Sequence, residues 1–200
     1  VTALQSADQK ITYAMLDLQT KGLVRFLQAN GLTKGDRLGW LGKNSLDYAR
    51  LFFACARLGV VMVPIGWRLA MPEVTWIARD AGLKILVLDS DFFAARPAFE
   101  GALSSLSVLN VSDVALFMET SNSPTSSKSM DYVAAGALDP VLQLYTSGTT
   151  GHPKGVVLSN RNLFGLAARA QKPSIAYHDI TPDEAILVAM PCAHIGGTGL

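Results

Sequence analysis

No charge of either sign dominates this chain. Seventeen Lys and Arg face sixteen Asp and Glu, a formal net charge of +1. That balance gives no footing for a nucleic-acid partner or a polyanionic surface. Charge is scarce altogether, at 16%, while half the residues are hydrophobic. Two hundred residues of this kind read as a core-rich globular chain of one or two domains, not a disordered one. Only two cysteines occur, Cys55 and Cys192, too distant for a metal-ligand spacing. A reducing, cytoplasmic setting fits them best. The longest apolar stretches, such as Gly59 to Trp67, fall well short of the roughly 18 residues a membrane span needs. No transmembrane segment is therefore expected, and only peripheral membrane contact stays open. There is no basic-then-apolar leader and no internal repeat. The chain starts at Val1 rather than Met and stops at Gly196 to Leu200, inside what reads as a motif. A piece of a longer chain is expected, with exposed core favouring self-association.

What the chain does have is a loop. Tyr145 to Gly155 reads Tyr-Thr-Ser-Gly-Thr-Thr-Gly-His-Pro-Lys-Gly, set between the apolar runs Val141–Tyr145 and Val156–Leu158. From Thr146 onward it holds three glycines, four hydroxyl side chains and one lysine, with no carboxylate. Glycines let a bound group approach the backbone closely. Free N–H groups, hydroxyls and one ammonium together suit a polyanion such as a nucleotide's phosphates. The common phosphate loop is different, because its Lys follows Gly directly, precedes Ser or Thr, and opens a helix. Here His152 and Pro153 intervene, and Pro153 biases His152 to extended backbone, so Lys154 should project from the start of a strand. The plain alternative is a polar hairpin turn, which explains neither the length nor the lysine.

A second candidate is Met190-Pro191-Cys192-Ala193-His194-Ile195-Gly196-Gly197. A strand running into Pro, then His194 before Gly196 and Gly197, places a titratable aromatic side chain at a strand's end. His194 as a satisfied structural histidine, and Cys192 with His194 as nucleophile and base, are the other readings.

Taken in order, Leu4 to Thr12 reads as a hairpin turning near Ala7-Asp8-Gln9. Thr12 caps a helix to about Asn30, with Ile11 and Leu16 as a hydrophobic staple and Gly31 as its stop. A strand spans Arg37–Leu41. Asn44 or Ser45 caps a mostly buried helix that ends at Gly59. Its Arg50 and Arg57 share a face and must meet partners or solvent. Val60–Pro64 and Lys84–Leu88 read as interior strands around a helix opened by Pro72 and ended by Gly82. Phe92–Leu106 reads as a helix interrupted at Pro97, and Val108–Met118 as holding one more strand. The Ser/Thr-rich stretch 119–130 reads as a flexible surface insertion. Asn160–Gln171 is helical, Ala185–Met190 an interior strand, and His178 solvent-facing. The alternation predicts an α/β fold whose mainly parallel sheet is flanked by helices.

Thr146 to Gly155 resembles the signature loop of the adenylate-forming superfamily, which includes acyl-CoA synthetases, luciferases and peptide-synthetase adenylation domains. Ile11 to Leu16 and Arg57 to Ile65 are similar to fold markers of that family, although Trp67 and Met71 depart from its commonest choices. The resemblance implies that residues 1–200 are the N-terminal part of the AMP-binding domain. The rest of that large domain and a small C-terminal domain would lie outside the chain. It implies ATP-dependent activation of a carboxylic acid, preferably a fatty acid, to an acyl-adenylate and then to an acyl-CoA. A carrier-protein acceptor, or an inactive nucleotide-binding module, remains the alternative. The implied phosphate-binding residues are Thr146, Ser147, Gly148, Thr149, Thr150, Gly151 and Lys154, with Lys154 catalytic. His194, Gly196 and Gly197 would line the acid site, as in acyl- and aryl-CoA synthetases. ATP, coenzyme A and Mg2+ are the implied cofactors, with the metal's ligand expected beyond Leu200. The isolated chain is accordingly expected to be inactive and to bind ATP weakly or not at all.

Overall fold

The computed structural model describes residues 1–121, 135–146, 151–170 and 185–198. Strands β1 (Thr2–Gln5) and β2 (Lys10–Thr12) form the expected antiparallel hairpin, closed where the Ser6 amide donates to the Gln9 carbonyl at 2.8 Å. Thr12 then caps α1 (Tyr13–Ala29), its hydroxyl accepting from the Met15 amide at 3.2 Å. Ile11 and Leu16, on either side of that cap, are buried as a staple requires. At the far end Gly31 sits at φ +76°, its amide and that of Leu32 closing back onto Gln28 and Leu27. This paired closure needs a left-handed residue, which only glycine adopts at little cost.

The rest of the chain builds one sheet. In order come β3 (Arg37–Leu41), α2 (Leu46–Leu58), β4 (Val61–Ile65), α3 (Met71–Ala81) and β5 (Ile85–Leu88). A 3-10 helix, Ser90–Ala95, leads to α4 (Arg96–Ala102), β6 (Ser107–Asn110) and α5 (Val111–Ser121). Then follow β7 (Pro140–Thr146), β8 (Lys154–Ser159), α6 (Asn160–Ala170) and the short α7 (Ile195–Thr198). The strand order is β6-β5-β3-β4-β7-β8, parallel throughout except for β8, which pairs antiparallel with β7. Successive strand residues face opposite layers. Ile85 and Val87 pack with α1, α2 and α5, whereas Leu86 and Leu88 pack with α3 and α4. Because both faces are covered, the inner strands β4 and β5 are apolar and buried at every position. The predicted α/β class, with a mainly parallel sheet flanked by helices, is what forms.

Two local expectations are corrected and one is bounded. Pro97 does not interrupt a helix but lies in the first turn of α4, where its missing N–H costs nothing. Val108–Met118 is strand only to Asn110, and α5 begins at the next residue, continuing to Ser121. Ala185–Met190 forms no strand; its residues are exposed and pair with no described strand, so the ladder bonds that stabilise a strand are missing. The remainder of the expected flexible stretch, from residue 122, and His178 lie outside the described residues. Arg50 and Arg57 do find partners. Buried Arg50 donates to Asp47, Gln19 and Gln9, and Arg57 pairs with Asp17 at 2.7 Å. Among the described residues no helix is long and apolar enough to cross a membrane.

Candidate phosphate-binding loop and histidine turn

The sheet's connectivity decides where a ligand can sit. Strand β3 exits into α2 on one face, and its neighbour β4 exits into α3 on the other. Adjacent strands whose connections leave to opposite faces open a crevice at their carboxyl ends, where α/β proteins bind ligands. Strand β7 lies beside β4, parallel to it, so its carboxyl end opens on that crevice's edge.

The glycine- and hydroxyl-rich loop leaves from that end. Thr146 and Lys154 are partners across the β7–β8 ladder, so residues 147–153 are the connection between the two strands. Lys154 is the first residue of β8, as Pro153 predicted, and is exposed; its ammonium makes no ion pair among the described residues. Thr146 is exposed beside it. Gly151, also exposed, has φ +96° and open space around a would-be Cβ, so conformation rather than crowding calls for glycine there. Ser147, Gly148, Thr149 and Thr150 lie outside the described residues.

The stem below the loop is held by a relay of hydrogen bonds. The Tyr145 hydroxyl donates to the Asp80 carboxylate on α3 at 2.6 Å and accepts from the Gln143 amide at 2.9 Å. Gln143 in turn accepts from Arg37 on β3 at 3.0 Å. Burial, and then the neighbouring Asp80 carboxylate, push the phenol's pKa upward, so Tyr145 stays a donor. Gly155, opposite Tyr145, leaves room for this relay: a Cβ there would lie 2.5 Å from the Gln143 amide nitrogen.

The second candidate segment is fastened to the start of α2. Ser45 is the helix cap, its hydroxyl accepting from the Tyr48 amide at 3.1 Å, which releases Asn44 for another task. The Asn44 side chain donates to the Met190 carbonyl at 2.9 Å and accepts from the Cys192 amide at 2.9 Å and its thiol at 3.0 Å. Thr198 gives its hydroxyl proton to the Cys192 carbonyl at 2.7 Å, so the 2.6 Å bond with Tyr48 has the phenol as donor. Within the turn so closed, the His194 amide donates to the Pro191 carbonyl at 2.9 Å, and the imidazole is exposed. Gly196 and Gly197 form the short α7 behind it, and a Cβ on Gly197 would collide with the Pro191 carbonyl. Asn44 and Tyr48 were not legible as site residues; the only sequence signal was the Asn44-Ser45 pair, one side chain more than a cap needs.

Cys192 is not set up as a nucleophile. It is buried, its thiol points to Asn44, and burial pushes its pKa up to about 11. A reactive cysteine shows the opposite shift. With Asn44 truncated to Ala, the Cys192 amide loses its acceptor. It is expected to exchange with solvent at least ~10-fold faster, a change of about 1.4 kcal/mol in local opening. Hydrogen-exchange rates across residues 190–194 check this.

The two candidate segments thus attach at the same end of the sheet, one after β7 and one beside the exit of β3, strands that lie two spacings or about 10 Å apart. No hydrogen bond joins His194 to Lys154 among the described residues. Nor do those residues offer a group of three or more His, Cys, Asp or Glu side chains fit to hold a metal. A cavity of about 250 Å³, lined by Tyr13, Asp17, Phe53 and Arg57, lies toward the other end of α2.

Comparison with known proteins places this geometry in context. The AMP-binding enzyme family matches residues 1–200. The chain is 35% identical over 187 residues to a fatty acid–[acyl-carrier-protein] ligase, ScoC, of Streptomyces coeruleorubidus, covering 94% of this chain and 35% of ScoC. It is 34% identical over 200 residues to indoleacetate–CoA ligase of Aromatoleum aromaticum, covering 98% of this chain and 38% of that one. Among solved structures, ATP-bound MatB from Rhodopseudomonas palustris superposes with a TM-score of 0.81 at 28% identity, over 99% of this chain and 39% of MatB. The chain therefore spans little more than a third of the length of these relatives.

Proposed function

Since the chain belongs to the AMP-binding enzyme family, we propose that the full-length protein activates a carboxylic acid with ATP and passes the acyl group to a thiol. Residues 1–200 are then the N-terminal part of its AMP-binding domain. In the first step a carboxylate oxygen attacks the α-phosphorus, and the bond to pyrophosphate breaks. In the second, a thiolate attacks the acyl carbon and AMP leaves. One observation carries this reading: Lys154, exposed and with no ion-pair partner among the described residues, stands where a glycine- and hydroxyl-rich loop meets β8, beside the crevice at the sheet's carboxyl end.

Charge accumulates on the departing pyrophosphate, so the chemistry calls for fixed donors more than for acid–base groups. Thr146, Ser147, Thr149 and Thr150, with the amides of Gly148 and Gly151, hold the β- and γ-phosphates, and Lys154 supplies the full charge. His194, with Gly196 and Gly197 behind it, lines the acid pocket. Mg2+, when bound, neutralises phosphate charge, and its ligands lie outside the described residues. The acid is a fatty acid in one relative and an aryl acetate in the other. The apolar composition and the histidine turn favour a fatty substrate. Coenzyme A is the proposed acceptor, and the similarity to ScoC favours a carrier-protein thiol as the second reading.

ATP–pyrophosphate exchange by the full-length protein tests this, with straight-chain and aryl acids supplied in turn. Exchange that appears only with an acid is the expected result. A folded protein that exchanges with none of them sinks the proposal, and thioester formation with coenzyme A or an acyl carrier protein separates the acceptors.

A further inference from the structure

The helix α3 touches both ends of the candidate phosphate loop. At the loop's start, Tyr145 donates to Asp80. At its end, the His152 imidazole lies flat on the Trp76 indole, with centroids 5.2 Å apart and planes 5° from parallel. Trp76 also meets the Tyr145 ring edge-on at 6.1 Å and 89°. Trp76 and Asp80 are four apart on α3 and so share one helix face. That face faces the stem from outside the ladder, while the ladder itself fixes only Thr146 against Lys154.

The stack sits where the chain most needs support. Gly151, immediately before His152, adopts φ +96°, a region that glycine shares with neighbouring wells at little cost and therefore does not hold on its own. Pro153, immediately after, fixes its own φ but donates no backbone hydrogen bond. Among the described residues, then, what fixes His152 is an aromatic contact to another element rather than the ladder. Offset-stacked rings have a preferred geometry, which a generic apolar contact lacks.

We infer that Trp76 and His152 are positioning residues: their stacked rings, braced by Tyr145 and Asp80, set the exit of the loop and thereby aim Lys154, two residues on. The inference rests on the proposed role of the loop in holding triphosphate. It assigns the aromatic at position 76 and a flat ring at position 152 a part in ATP affinity without contact to the nucleotide.

The test is steady-state ATP–pyrophosphate exchange in the full-length protein. His152 is exposed, so its replacement leaves the core intact. His152→Ala is expected to raise the KM for ATP by about three- to tenfold, the worth of one aromatic pair, with a smaller change in kcat. His152→Phe, which restores a flat ring without nitrogen or charge, is expected to recover most of the affinity. Trp76→Phe should likewise outperform Trp76→Ala. In the full-length protein, the His152 ring protons should resonate upfield and lose that shift in Trp76→Ala. An unchanged KM in His152→Ala, or a Phe variant no better than Ala, overturns the inference. If Lys154→Ala alters exchange while the stack variants do not, the inference alone falls; if Lys154→Ala also leaves exchange unaltered, the phosphate reading falls and takes the inference with it.

Discussion

Lys154→Ala is expected to lower kcat/KM for ATP in adenylation by about a hundredfold to a thousandfold, the usual cost of removing a fixed donor from a developing oxyanion. The magnitude follows from charge. An ammonium 4 Å from a phosphate oxygen is worth about 4 kcal/mol at an effective dielectric near 20, against roughly 1 kcal/mol for a neutral hydrogen bond from a threonine or an amide. Lys154 is exposed, which screens part of the attraction and sets the lower end of that range. The fold should not notice the loss. Lys154 has no ion-pair partner among the described residues, and its backbone pairing with Thr146 survives the substitution. Unfolding free energy should stay within about 0.5 kcal/mol, as for other surface substitutions. The Lys154→Arg variant should recover only part of the rate, because a planar fork presents its charge differently from a compact ammonium. Exchange kinetics and thermal unfolding on the same preparations check the two halves. An exchange rate within threefold of the parent would remove Lys154 from the mechanism.

Much of the fold was legible because its signals are local. Thr12, Ser45 and Pro72 open helices, and Gly31, Gly59 and Gly82 close them at positive φ, each with its partners a few residues away. The buried strands β3, β4 and β5 read directly as apolar runs. Strand Ala185–Met190 failed for the complementary reason: an apolar hexapeptide reads the same with or without a neighbouring edge, and the neighbour is a tertiary fact. The start of α5 also carries a local signal. Asp113 accepts from the Asn110 amide at 2.9 Å, an acidic first-turn residue reaching back over the helix start, inside the apolar run from Val108. Of the candidate site, the loop and Lys154 stood in the sequence, since their chemistry is contiguous. The contacts that orient the site are not contiguous. Tyr145 reaches Asp80 across 65 positions and Asn44 reaches Cys192 across 148, and no periodicity connects such pairs.

The largest effect at the second segment is expected from Gly197→Ala. The new Cβ would overlap the Pro191 carbonyl oxygen and lie 2.5 Å from the Met190 carbonyl oxygen. Both are backbone atoms, so no rotamer change relieves the overlap, and the turn itself must open. It is closed by the His194 amide on the Pro191 carbonyl and the Thr198 hydroxyl on the Cys192 carbonyl, at 2.9 and 2.7 Å. Opening it displaces His194, which lies between those bonds. A misplacement of about 1 Å costs on the order of a hundredfold when a pocket must hold a reacting group in line. Gly197→Ala should therefore lower kcat/KM for the acid by about that factor while leaving the KM for ATP near the parent value, since the phosphate loop hangs from β7 and α3 instead. Gly196→Ala supplies the comparison. Its Cβ would meet only the Met190 side chain, at 3.4 Å, and a methionine can turn aside. The smaller loss is expected there, under identical acid and ATP titrations. Equal losses in the two alanine variants, or a defect in ATP rather than in acid, would show that the histidine turn does not shape the acid's side of the site.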